Sequence, residues 1–130
     1  MATVMLRPSF MFVPATLLAA CLAAAPADAA MTVSTFLSRA QPLRDQGMMA
    51  VLDPDFQVLK AEADNAKHQL RAEDAQRRAA GKPPIACVPE GEKVGITDML
   101  DGLAALHARD KRLPLKDGYA RVLAKRFPCR

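Results

Sequence analysis

Asp53-Pro54 and Gly81 bracket the segment that most limits what this chain can become. A carboxylate followed by proline starts a helix. Asp53 can accept from the free N–H groups of the first turn, and Pro54 lacks the N–H that the first helical position leaves unpaired. A glycine just past the last turn ends one. The spacing predicts a helix from Pro54 to Ala80, with Phe56, Leu59, Ala63, Ala66 and Leu70 as its apolar stripe. That stripe stops at Glu73 and Asp74, and Arg71 to Ala80 is alanine and charge. Such a helix reaches about 40 Å, more than a compact domain of about 100 residues needs. Its far end is therefore expected to protrude, to fray or to lie against another chain.

The flanking segments also carry helical patterns. Thr32 or Ser34 can cap a first helix bearing Val33, Phe36, Leu37 and Ala40. Pro42 either kinks that helix or opens a new turn, and Gly47 ends it. Met48 to Leu52 reads as a short apolar turn. Lys82-Pro83-Pro84-Ile85-Ala86-Cys87-Val88-Pro89 is held extended by three prolines, and Glu90 to Gly95 is a polar loop. Asp98 and Asp101 fall in the first turns of the next helix, where the macrodipole favours carboxylates. Ile96, Met99, Leu100, Leu103 and Leu106 are its expected buried face. Pro114 opens the last helix, lined inside by Leu115, Tyr119, Val122, Leu123 and Phe127 and stopped by Pro128. No run alternates long enough to make a strand, and there is no internal repeat. The expected fold is all-α, a small domain of four to five helices around one long central helix.

Met1 to Ala30 have a different character. Arg7 is the only charge before Asp28, Phe10 to Val13 and Ala15 to Ala25 are apolar, and Ala27-Asp28-Ala29 places small residues at a signal-peptidase site. This is the layout of a secretory signal, residues 1–29, leaving a domain of residues 30–130. Two alternatives stay open. One is an uncleaved anchor. The other is lipidation at Cys21, because Leu18-Ala19-Ala20-Cys21 resembles the lipobox of bacterial lipoproteins. The expected location is the periplasm, with membrane attachment only if Cys21 is lipidated.

Export governs how the remaining cysteines are read. Without residues 1–29 two are left, Cys87 and Cys129. An even pair in an exported chain reads as a disulfide. Closing a loop of that length contributes about 4 kcal/mol in the chain-entropy view, a large share of what a small domain has in total. A zinc pair is the alternative, but no histidine lies near either cysteine and no second Cys-x-x-Cys exists.

Groups able to carry catalysis are sparse. Ser34 and Ser38 lie outside any Gly-x-Ser-x-Gly elbow. Asp64 and His68 are four apart on the long helix, a spacing that gives two ligands without a third, so a solvated pair is the preferred reading. His107 sits near a helix end, where it is expected to be a surface residue or to complement the dipole rather than to act as a catalyst. Gly91-Glu92-Lys93-Val94-Gly95 lacks the ending and the preceding strand of a phosphate loop. No cofactor and no metal are expected. The net charge of +4 is uneven: residues 109–130 hold eight basic and two acidic side chains. That end could face an anionic partner. No aromatics interleave with its charges, which argues against nucleic acid.

Two stretches frame the last part of the chain. Pro83-Pro84-Ile85-Ala86-Cys87-Val88-Pro89-Glu90-Gly91 opens it and Ala124-Lys125-Arg126-Phe127-Pro128-Cys129 closes it, with two amphipathic helices between. In this frame the chain resembles the Rap/Tai family, small exported immunity proteins that neutralise type VI secretion amidases. Its members have a signal peptide, an all-helical domain and a Pro-x-x-Cys…Phe-Pro-Cys frame. The resemblance covers roughly Pro83 to Cys129. It implies a Cys87–Cys129 disulfide, Phe127-Pro128 as a packed helix end, and a homodimer. The frame is structural and carries over no residue that touches an amidase.

The expected function is that of an exported binding protein and not an enzyme. In its most specific form this is an immunity protein that occludes a peptidoglycan amidase. The alternative is an envelope structural or lipoprotein-type domain without a toxin partner. Contact is expected from the loop Glu90, Gly91, Glu92 and Lys93 beside Cys87, and from the distal end of the long helix.

Overall fold

The structure is a computed structural model and describes residues 30–130. The expected leader, its cleavage site and Cys21 lie outside the described residues. Within them the chain forms four α-helices: α1 (Val33–Gln46), α2 (Pro54–Ala79), α3 (Ile96–Ala104) and α4 (Leu115–Arg126). Short 3-10 turns occupy Gly47–Leu52 and Asp110–Arg112. No strand occurs among the described residues. One isolated antiparallel bridge joins Thr32 to Pro114. There Val33 N donates to the Leu113 carbonyl and Leu115 N to the Met31 carbonyl, fastening the start of α1 beside the start of α4.

The helix boundaries follow local chemistry. Thr32 caps α1, its hydroxyl accepting from Thr35 N at 3.2 Å. Pro42 lies within α1 on the exposed side, and the helix runs through it. Gly47 ends α1 with φ +58°, a conformation that costs glycine little. Asp53 caps α2, accepting from Asp55 N at 2.9 Å, with Pro54 in the first turn. The long helix ends at Ala79, with Gly81 just beyond it.

α2 packs along α4 and α1, and α3 rests on α4 and α1. The core is built from one stripe on each helix: Val33, Phe36, Ala40 and Leu43 of α1, Leu59, Ala66 and Leu70 of α2, Leu103 of α3, and Leu115, Tyr119 and Val122 of α4. Val33 and Leu103 are fully buried. Two glycines let the helices approach this closely. A Cβ on Gly118 would collide with Val33, and one on Gly102 would come within 2.5 Å of Val122 Cγ1.

Two sequence expectations are corrected here. Ile96 does not belong to the buried face of α3, because it is 80% exposed. It is the first residue of a nine-residue helix, and among the described residues no element covers its side chain, whereas Met99 one turn on packs against the core. The distal third of α2 neither frays nor stands free. Asp74 Oδ1 accepts from Ile85 N at 3.0 Å, and Arg77 Nε donates to the Pro83 carbonyl at 2.9 Å. Glu73 pairs with Lys116 of α4. The chain thus doubles back and uses the polar end of its longest helix as a rail for the proline-rich segment.

Candidate functional site

Residues 82–95 form an extended strap between α2 and α3. It is fixed along its length. Ile85 N donates to Asp74, and Cys87 N donates to the Phe127 carbonyl at 2.9 Å. The Cys87–Cys129 disulfide then joins the strap covalently to the residues just past α4. The disulfide read from cysteine parity is therefore present.

The loop expected to make contact, Glu90 to Lys93, lies on this strap and is exposed throughout. Glu92 N donates to the Pro89 carbonyl at 3.1 Å, closing a turn with Gly91 at φ +82°. That value at the third position is the mark of a type II turn and accounts for glycine there. Arg126, at the end of α4, lies between the loop and α3. Its guanidinium is 3.2 Å from Asp98 at the start of α3 and 4.0 Å from Glu92, and it lies 5.4 Å from the Phe127 ring centroid. One arginine thus ties the loop, α3 and α4 together.

Val88 and Val94, on either side of the loop, both line a groove of about 670 Å³. One wall is α1 and α2, with Ala40, Leu43, Leu59 and Ala63. The other is the strap and α3, with Val88, Val94, Ile96, Met99 and Leu100. Tyr119 and Leu123 of α4 also line it. Its polar lining comes mainly from Arg44, Lys60, Asp64, Lys67 and Arg71. A second cleft of about 460 Å³ lies between the strap and distal α2 and shares Leu70, Arg71, Val88 and Leu123 with the first. Beyond the groove, the Met48–Leu52 turn exposes Met48 (92%), Met49, Val51 and Leu52.

Electrostatics around the groove are specific. Asp64 accepts from Lys67 at 2.7 Å and Lys60 at 2.9 Å, and these hydrogen bonds hold its carboxyl down at about 2. Asp64 is thus committed to two lysines and not to His68, which is exposed. The Tyr119 hydroxyl is pushed up to about 12, first by burial and then by the charge of Asp64. Arg39 forms a two-pronged pair with Asp55, and this hydrogen bonding holds the Asp55 carboxyl below its ordinary value. His107 takes part in the fold through its backbone. Its carbonyl accepts from Asp110 N and Lys111 N, shaping the 3-10 turn before α4. Part of the basic C-terminal charge is spent on internal ties, Lys116 to Glu73 and Arg126 to Asp98.

Among the described residues, no three His, Cys, Asp or Glu side chains gather as a metal site, and no helix is long and apolar enough to cross a membrane. The groove was not visible in the sequence, where its residues read as ordinary core stripe. The one available signal was small side chains, Ala40 and Ala63, at stripe positions of two adjacent helices. Comparison of the chain with family models, with curated proteins and with solved structures gives no match.

Proposed function

We propose that this chain is an exported binding protein that presents the Glu90–Lys93 loop to a protein partner, and that the partner is a peptidoglycan amidase whose site the loop occludes. The observation that supports this reading most is the fixed geometry of an exposed loop. A disulfide at Cys87, a main-chain bond to Phe127 and the Arg126 ties hold it before any partner arrives. An inhibitor gains from such preorganisation because little conformational freedom remains to be lost on docking. Occlusion needs shape and a few well-placed polar groups rather than catalytic ones. The resemblance in the cysteine frame supports the choice of an amidase.

The test is protection. An amidase directed to the periplasm lyses its host, and co-export of this protein should prevent lysis when the pair is cognate. Glu90→Ala, Glu92→Ala and Lys93→Ala together should abolish protection while the far-UV circular dichroism stays unchanged. Full protection by that triple variant would remove the loop from the mechanism. The same reading includes a homodimer formed through the exposed Met48–Leu52 turn, a methionine-bearing surface of the adaptable kind that suits self-association. Light scattering decides it.

A further inference from the structure

The strap is held unevenly. Its first half is bound to distal α2. Arg77 Nε donates to the Pro83 carbonyl, Ile85 N donates to Asp74, and the Ile85 side chain packs against the core. Beyond Ala86 the surroundings change. From Cys87 to Gly95 every residue except Val94 is exposed. Among the described residues, the polar ties from this stretch to the rest of the fold are Cys87 N to the Phe127 carbonyl at 2.9 Å and Glu92 to Arg126 at 4.0 Å. A lone hydrogen bond between exposed segments contributes modestly, and an exposed ion pair contributes little. The Cys87–Cys129 disulfide is the covalent tie across the same seam.

The disulfide is also open to attack. Cys87 and Cys129 are both exposed, and thiol–disulfide exchange needs a thiolate to reach a sulfur. Exposed disulfides are the labile and regulatory ones, whereas structural ones resist reduction. None of the buried core residues lies in the strap or beyond α4. Breaking the bond therefore removes no core contact. Its effect falls on the unfolded chain, which gains freedom, and on the segment that the bond holds in place. Under that segment lies the cleft of about 460 Å³, lined by Ala86, Cys87 and Val88 on the strap and by Leu70 of α2 and Leu123 of α4.

We propose that the Cys87–Cys129 disulfide is a reducible latch: a dithiol opens it, residues 87–95 detach from the end of α4 and become a mobile loop between Ala86 and α3, and the four helices stay folded. A thiolate of the dithiol attacks one cysteine sulfur, the S–S bond breaks, and the other cysteine leaves as a thiolate and takes up a proton. The second thiol of the reductant then displaces the first cysteine from the mixed disulfide. Two electrons and two protons pass to the protein, and the dithiol becomes a disulfide. The break falls at Ala86 because the ties to α2 end at Ile85. Opening removes the strap wall of the cleft and uncovers Leu70 and Leu123. The latch goes beyond partner occlusion and is read on the free protein, so either can fail without the other.

Amide hydrogen exchange followed by NMR, with and without millimolar dithiothreitol and with no denaturant, tests this. Alkylation should show both thiols free in the treated protein. The residue 87 amide should then exchange about tenfold faster or more, the Ile85 amide should change far less, and the core amides of Tyr119 and Val122 should stay slow. Far-UV circular dichroism should be unchanged. Cys87→Ser combined with Cys129→Ser should show the fast exchange at residue 87 with no reductant present. Asp74→Ala, with the disulfide intact, should free the Ile85 amide and leave residue 87 slow. The triple alanine variant of Glu90, Glu92 and Lys93 should keep the slow exchange of the oxidised protein at residue 87, which separates the latch from the loop's contacts. Reduction that requires denaturant, loss of the helical signal as the thiols form, or unchanged exchange at residue 87 in the reduced protein would overturn the proposal. So would fast exchange there in oxidised Asp74→Ala.

Discussion

Replacing Gly118 by alanine should destabilise this protein, against the usual rule for a helix interior. Alanine normally gains about 1 kcal/mol over glycine there, because the unfolded chain loses freedom. Gly118 lies in the second turn of α4, where that gain would apply in full. Its added methyl, however, would land on Val33 Cγ2 and 3.1 Å from Leu103 Cδ2. Both neighbours are fully buried, so neither side chain can swing into solvent. Forcing a methyl into such packing costs about 1–3 kcal/mol. The expected net change is a loss of up to about 2 kcal/mol. The decisive experiment adds Val33→Ala, which empties the space the new methyl needs. On that background Gly118→Ala should stabilise, so the sign of its effect inverts, with a coupling above about 1 kcal/mol. Urea unfolding monitored by far-UV circular dichroism measures all four corners of the cycle. A single Gly118→Ala variant that is more stable than wild type by about 1 kcal/mol would refute the close approach of α4 to α1, and with it the core described here.

Three further outcomes are expected. Tyr119 is the only tyrosine, so phenolate absorbance reports it alone: the native midpoint should lie near 12, against about 10 for the unfolded chain. Because the folded value is the raised one, its stability contribution is intact below pH 10 and about 2–3 kcal/mol is lost as pH climbs through 12; a native midpoint near 10 would place the phenol in solvent. Leu103→Ala should cost about 2–5 kcal/mol, as for other large-to-small core changes, while Ile96→Ser should stay within about 0.5 kcal/mol, and thermal or urea unfolding compares the two. Asp53→Ala removes the cap on α2 and should cost about 1 kcal/mol in the same measurement.

Much of the fold was legible because it rests on local chemistry. Thr32, Asp53-Pro54 and Gly81 each mark a helix end through hydrogen bonds or dihedrals made within a few residues, and all three mark one in the structure. The stripes on α1, α2 and α4 were readable for the same reason. Ile96 was misread because periodicity gives the face of a helix but not whether another element covers it. The clasp on distal α2 was missed because it consists of side-chain bonds to strap backbone, Asp74 to Ile85 and Arg77 to Pro83, and no spacing rule encodes these. The groove is the hardest case. It is a place where Ala40 and Ala63 fail to fill space, and its existence depends on how far α3 stands from α2 rather than on any single residue.

The placement of the strap and its loop depends above all on the covalent tie from Cys87 to Cys129. Peptide mapping of protein recovered unreduced from its natural compartment, after blocking of free thiols by alkylation, reads that tie directly. The expected result is one cross-linked peptide pair joining Cys87 to Cys129, with neither residue alkylated. Recovery of both cysteines in alkylated form would leave the strap unanchored and would contradict the loop geometry on which the proposed partner binding rests.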